Sequence, residues 1–173
     1  MAVSTRRIAL GGIFGAMILA VNGFIPAPTS DFLIVLQSFL LALSFLVLGK
    51  GGATYVGVVS GVLITAVKIS FFPLDLVFSI MFGVVVDILA VALRAKEGGR
   101  AKSLRLVVCM MLSTGIVGFI AYYVTAVLTN LVPNEFFLDL TVLLFGVVSG
   151  AIGGAVAARV WNRSLMARFY NRY

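Results

Sequence analysis

Six acidic and thirteen basic side chains, with no histidine, carry the charged chemistry of this 173-residue chain. The missing imidazole excludes a histidine general base, Ser-His and Cys-His nucleophile pairs, and imidazole metal ligands. Cys109 is the only cysteine, so neither an internal disulfide nor a thiolate cage can form. It lies in Val107-Val108-Cys109-Met110-Met111 and reads as a small buried hydrophobe. No GxxxxGK[ST] phosphate loop occurs, so the chain has no such loop for ATP hydrolysis. Asp87 is the one ionisable residue well inside an apolar run. It reads either as a proton-relay carboxylate or as a partner of Arg6, Arg7, Arg159 or a glycine-rich neighbour. Asp75 precedes it by twelve residues, about 18 Å along a helix, too far for an acid/base couple. The expectation is a chain that is not an enzyme and holds no metal and no cofactor.

A second set of residues suits binding rather than bond-making. Asn22, Asp31, Gln37, Lys68, Asp75, Asn130, Asn134, Glu135 and Asp139 fall at the ends of apolar runs. Phe24, Phe71, Phe72, Tyr122, Tyr123, Phe136 and Phe137 lie among them. Aromatic faces with a few placed polar groups are what a pocket for a small, flat, polar ligand requires. The polar residues, with Tyr122 and Tyr123, are therefore the candidate substrate-binding groups. An interfacial aromatic belt with solvated loop charges has the same composition.

The elements that must position these residues follow from composition. The chain is 62% apolar and 11% charged, with a mean hydropathy of +1.18. Soluble domains run about 45–50% apolar and roughly 25% charged. The predicted fold is an all-α integral membrane protein, a bundle of six transmembrane helices forming a single domain over residues 1–173. A span needs about 20 apolar residues. Candidates run over 8–25, 32–48, 53–69, 74–93, 106–131 and 136–160, punctuated by Pro26-Ala27-Pro28, Gly49-Lys50-Gly51-Gly52, Pro73 and Pro133. A basic linker at 94–105 divides them three and three, a possible mechanical boundary. The first run lacks a small-x-small cleavage site before Pro26 and reads as a retained helix.

Charge sets the orientation. Arg6, Arg7, Lys50, Arg94, Lys96, Arg100, Lys102, Arg105, Arg159, Arg163, Arg168 and Arg172 fall on one side, twelve of the thirteen basic residues. Lys68 stands alone on the other, with Asp31, Asp75, Glu135 and Asp139. Positive charge stays inside, so both termini face the cytoplasm of a multi-pass protein of the cell membrane. The net charge of +7 is thus a topology signal, not a sign of nucleic-acid binding.

Small residues form stripes that admit close backbone approach. The first helix carries Gly11 and Gly15 on one stripe, and Gly12, Ala16 and Ala20 on the next. The third has Ala53, Gly57 and Gly61; the sixth has Gly146, Gly150, Gly154 and Ala158 beside Ser149, Gly153 and Ala157. Two adjacent stripes on the first helix exceed what one neighbour needs, which leaves one to dock a membrane partner.

Size, topology and the opening Arg6-Arg7-Ile8-Ala9-Leu10-Gly11-Gly12-Ile13-Phe14-Gly15-Ala16 resemble the substrate-binding S-component of an energy-coupling factor (ECF) vitamin transporter. Pro26-Ala27-Pro28, the 49–52 turn and Lys68 to Gly83 (KISFFPLDLVFSIMFG) also fit. The resemblance implies high-affinity capture of a vitamin-like micronutrient from outside. It also implies association through the first helix with a transmembrane coupling subunit and two cytoplasmic ATPases. The metal-ion branch uses an N-terminal histidine, which is absent here. Thiamin binders have a tryptophan-rich pocket, whereas Trp161 is the only tryptophan. The alternatives are an intramembrane enzyme and a small oligomeric channel or structural membrane protein.

Overall fold

Gly49 and Pro73 mark helix ends, and a helix satisfies the backbone of an apolar run within the run itself, as lipid requires. In a computed structural model, which describes residues 5–23, 34–67, 73–129 and 136–166, these runs form six helices. They are α1 (Thr5–Gly23), α2 (Ile34–Leu48), α3 (Gly52–Val67), α4 (Leu74–Ala92), α5 (Ser103–Thr129) and α6 (Phe136–Val160). A π-helical turn, Trp161–Leu165, continues α6.

Three helical stretches, Leu74–Ala92, Ser103–Thr125 and Phe137–Leu165, are long and apolar enough to cross a membrane. Arg7–Asn22, Ile34–Leu48 and Gly52–Val67 are apolar but shorter. Polarity runs inside out. Ser38, Ser44, Ser60, Asp87, Ser113 and Ser149 are buried, whereas Ile13, Val62, Ile88, Leu144 and Val148 face outward. Soluble monomers rarely expose apolar surface on this scale. This is the build of a membrane protein.

The tightest pairs are α5 with α6 and α3 with α4; α2 packs on α6, α1 on α3, and α4 on α5. The first three helices are therefore locked to the last three by direct packing, and the 94–105 linker is not a boundary between free halves. Small residues make the crossings. A Cβ on Gly57 would lie 2.6 Å from the Ser79 carbonyl oxygen, and one on Gly146 3.1 Å from that of Thr114. Gly150 and Gly154 face Met110 on α5, and Gly153 faces Ser38 and Phe39 on α2. Both stripes of α6 are thus consumed within the bundle.

The linker, expected only as a basic loop, folds as a hairpin. Strands β1 (Lys96–Glu97) and β2 (Arg100–Ala101) pair antiparallel across Gly98-Gly99, whose φ angles of 58° and 79° suit a two-residue hairpin turn. The hairpin is clamped to the turn after α6. Trp161 Nε1 donates to the Gly99 carbonyl at 2.9 Å, and Asn162 exchanges two hydrogen bonds with the Ala101 backbone. Glu97 accepts a hydrogen bond from Lys102, which, with the charge of the same ammonium, holds its carboxyl below the usual carboxylate range. Stability from a depressed carboxylate is present above its unfolded value and is lost as pH falls through its folded one. Acidification through and below the ordinary carboxylate range should therefore loosen the hairpin. Trp161 fluorescence reads this directly; emission that stays constant down to pH 3 would show that the pair does not hold the hairpin.

Candidate functional site

At the end of the bundle where α1 and α3 finish and α2 and α4 begin, a cavity of about 290 Å³ opens between five helices. Asn22 on α1 and Gln37 on α2 face each other across it, Asn22 Nδ2 donating to Gln37 Oε1 at 3.0 Å. Asp75 lies in the first turn of α4, where a carboxylate also suits the positive end of the helix dipole. Phe78, Ser79 and Phe82 continue the same face at helical spacing. Thr114, Val117, Gly118 and Ala121 do the same on α5. Ser79 exchanges a hydrogen bond with Ser60 at 3.0 Å. Thr114 lines the wall, but its Oγ1, without a hydrogen-bond partner among the described residues, is buried against Gly150 of α6, where a Cβ would lie 2.8 Å away, and is closed off from the cavity.

Of the predicted binding residues, the structure brings together Asn22, Gln37 and Asp75. Tyr122 and Tyr123 sit on α5 next to Ala121 but do not line the cavity, and Tyr123 is exposed. Asp139, in the first turn of α6, is likewise not part of it. Asp31, Lys68, Asn130, Asn134 and Glu135 lie outside the described residues. The aromatic wall is Phe78 and Phe82, whereas Phe137 points away, 80% exposed. Sequence reasoning missed Phe78, Ser79, Phe82 and Thr114. The signal was available: Asp75 at i places residues i+3, i+4 and i+7 on one face.

Asp87 has a structural duty. It projects from α4 to the start of α3, where its Oδ2 accepts from Thr54 N at 2.7 Å and from Thr54 Oγ1 at 2.6 Å. Its Oδ1 accepts from Ala53 N at 3.4 Å. The first N–H groups of a helix have no intrahelical acceptor, so Asp87 is an N-cap supplied from a neighbouring helix. Of the readings open at the outset, the glycine-rich neighbour is the one observed, because α3 starts at Gly52, the last residue of Gly49-Lys50-Gly51-Gly52. Among the described residues Asp87 forms no ion pair with Arg7 or Arg159. Cys109 is buried as expected, its thiol directed at the Val86 carbonyl at 3.6 Å.

No family model, no curated protein and no solved structure matches the chain. Function must rest on the geometry. Among the described residues no cluster of three or more Asp, Glu and Cys is placed to hold a metal ion.

The stripes on α1 divide cleanly. Gly11 and Gly15 are buried against Tyr55 and Val59 of α3, and so leave the predicted docking set. Gly12 has open space where a Cβ would stand. Ala16 and Ala20 are exposed beside Ile13 and Met17. The uncovered face of α1 is Gly12, Ala16 and Ala20.

Proposed function

We infer that this chain is the membrane-embedded binding subunit for a vitamin-like micronutrient, and that it serves an ATP-driven uptake complex of the ECF type. The single observation that carries the reading is the cavity that gathers Asn22, Gln37 and Asp75 beside Phe78 and Phe82. Six spans with both termini cytoplasmic would open this cavity to the outside of the cell membrane, following the split of basic residues. Its volume of about 290 Å³ lies at the small end for ligand sites, so a compound of one or two rings is favoured. Among the described residues the lining supplies one carboxylate and no cation, which favours a neutral or cationic ligand over a polyanion. The face of α1 with exposed Ala16 and Ala20 beside the half-buried Gly12 supplies a surface for a transmembrane coupling subunit carrying two cytoplasmic ATPases.

The test is purification without added ligand, followed by mass spectrometry of whatever small molecule accompanies the protein and thermal-shift titration with a vitamin panel. A bound heterocycle is expected, with affinity reduced about 10–100-fold in Gln37→Leu or Asp75→Asn, since the first removes a polar group from the cavity wall and the second its charge, and each leaves part of the ligand unpaired. Repeated empty preparations with no shift across the panel would overturn the reading. Ala16→Trp should leave binding intact and abolish uptake; unchanged uptake would remove α1 as the docking element.

A further inference from the structure

The opposite end of the bundle holds a second cavity of about 510 Å³, formed by the ends of α2 and α4 and the hairpin. Lys50, Arg94 and Lys96 line it together with Glu97, and Phe45, Ala90 and Val91 form its apolar wall. Glu97 is already engaged, by Lys102 and at 4.0 Å by Arg105. Lys96 is fixed in place: its Nζ donates to the Leu46 carbonyl at 2.6 Å and sits 4.6 Å from the centre of the Trp161 ring. Lys50 and Arg94 have no ion-pair partner among the described residues. Positive charge therefore exceeds what the surrounding protein neutralises.

Arg94 adds an independent observation. The Arg94 N–H bonds to the Val91 carbonyl at 3.1 Å, and the Ala95 N–H to the Ala90 carbonyl at 2.9 Å. This is the Schellman closure of α4, and it places Arg94 at φ 50°, a position that favours glycine. The only described non-glycine residue with positive φ is thus an arginine at the rim of a basic cavity. A side chain held at a conformational cost points to a use for that side chain.

We propose that this cavity binds the phosphate of an anionic phospholipid headgroup, with Lys50 and Arg94 as its direct partners and Lys96 as a fixed positive wall. The lipid source is favoured over a free anion by the wall. Phe45, Ala90 and Val91 adjoin the cations, and Val91 is 42% exposed on the outer surface of the bundle, where an acyl chain would lie. Helix ends with basic pockets between them are suited to such headgroups. The site requires only that the bundle sit in a bilayer, and is independent of what the cavity at the other end takes.

The experiment is thermal unfolding of the full chain in phosphatidylcholine vesicles with and without phosphatidylglycerol, and in neutral detergent with and without inorganic phosphate. Phosphatidylglycerol should raise Tm by about 5 °C. The double variant Lys50→Gln/Arg94→Gln should lose most of that rise, while Arg163→Gln, an exposed cation on the turn after α6, should keep it. Arg94→Gly separates folding from binding: it relieves the backbone, so it should be at least as stable in pure phosphatidylcholine and yet lose part of the rise. An undiminished rise in the double variant or in Arg94→Gly would overturn the site. An equal loss in Arg163→Gln would reduce the effect to general surface charge and overturn it too. Inorganic phosphate alone reproducing the whole rise would overturn the lipid assignment.

Discussion

Asp87→Ala is expected to lower the stability of the fold by about 2–3 kcal/mol, a fall of roughly 5–10 °C in Tm. The carboxylate accepts from the Ala53 and Thr54 N–H groups and from the Thr54 hydroxyl. Alanine would leave these donors buried at the start of α3, with only the hydroxyl able to turn elsewhere. Hydrogen bonds to charged groups contribute about 1.5–3 kcal/mol, and a lost N-cap costs about 1 kcal/mol in a more exposed setting. Asp87→Asn keeps the shape and one acceptor oxygen but loses the charge, so about half the loss is expected. A proton-relay carboxylate would behave in the opposite way. If Asp87→Asn transported nothing but melted with the parent protein, the capping role would be secondary and the relay reading restored.

The helices were legible from their apolar runs, helped where glycine or proline acts locally, as at Gly49 and Pro73. The run at 74–93 is helical over Leu74–Ala92, and that at 136–160 over Phe136–Val160. α5 begins at Ser103, three residues before the apolar run, since a helix can start on polar residues once its backbone is turned into register. The hairpin escaped notice because its strands are two residues long and carry no alternation of apolar residues. Only Gly98-Gly99 announced it. Asp87 was legible as an anomaly but not as a cap. Its acceptor role depends on Thr54, thirty-three residues away, and on a helix crossing that no local pattern encodes.

The candidate site was legible in part for a related reason. Asn22, Gln37 and Asp75 stood out as polar residues at the ends of apolar runs, and helix alternation brings those ends together. Phe78, Phe82 and Thr114 sit one or two turns deeper, where a sequence shows only one more apolar or small residue. What selects them is which face of each helix turns inward, and that is decided by the small-residue crossings.

Those crossings give the other large effect, because one chemical change, glycine to alanine, should have three different outcomes. At Gly83 the new Cβ would lie 2.5 Å from the Ala53 carbonyl oxygen and 2.8 Å from Thr54 Cα. Both are backbone, so the helices must separate; a loss of about 2–3 kcal/mol is expected. At Gly11 the obstacle is the Tyr55 ring, a half-exposed side chain that can swing aside, and about 1 kcal/mol should suffice. At Gly12 nothing stands within 4 Å, and alanine should be neutral or stabilise by up to about 1 kcal/mol. Unfolding of the three variants in one detergent measures the order. Ala53 and Thr54 are also the residues Asp87 caps, so Gly83→Ala combined with Asp87→Ala should cost less than the two losses added. Equal effects at Gly83 and Gly12 would mean that the crossing of α3 and α4 is not what holds the cap in place. The expected order would instead separate the glycines this bundle needs for itself from the one it leaves open on α1.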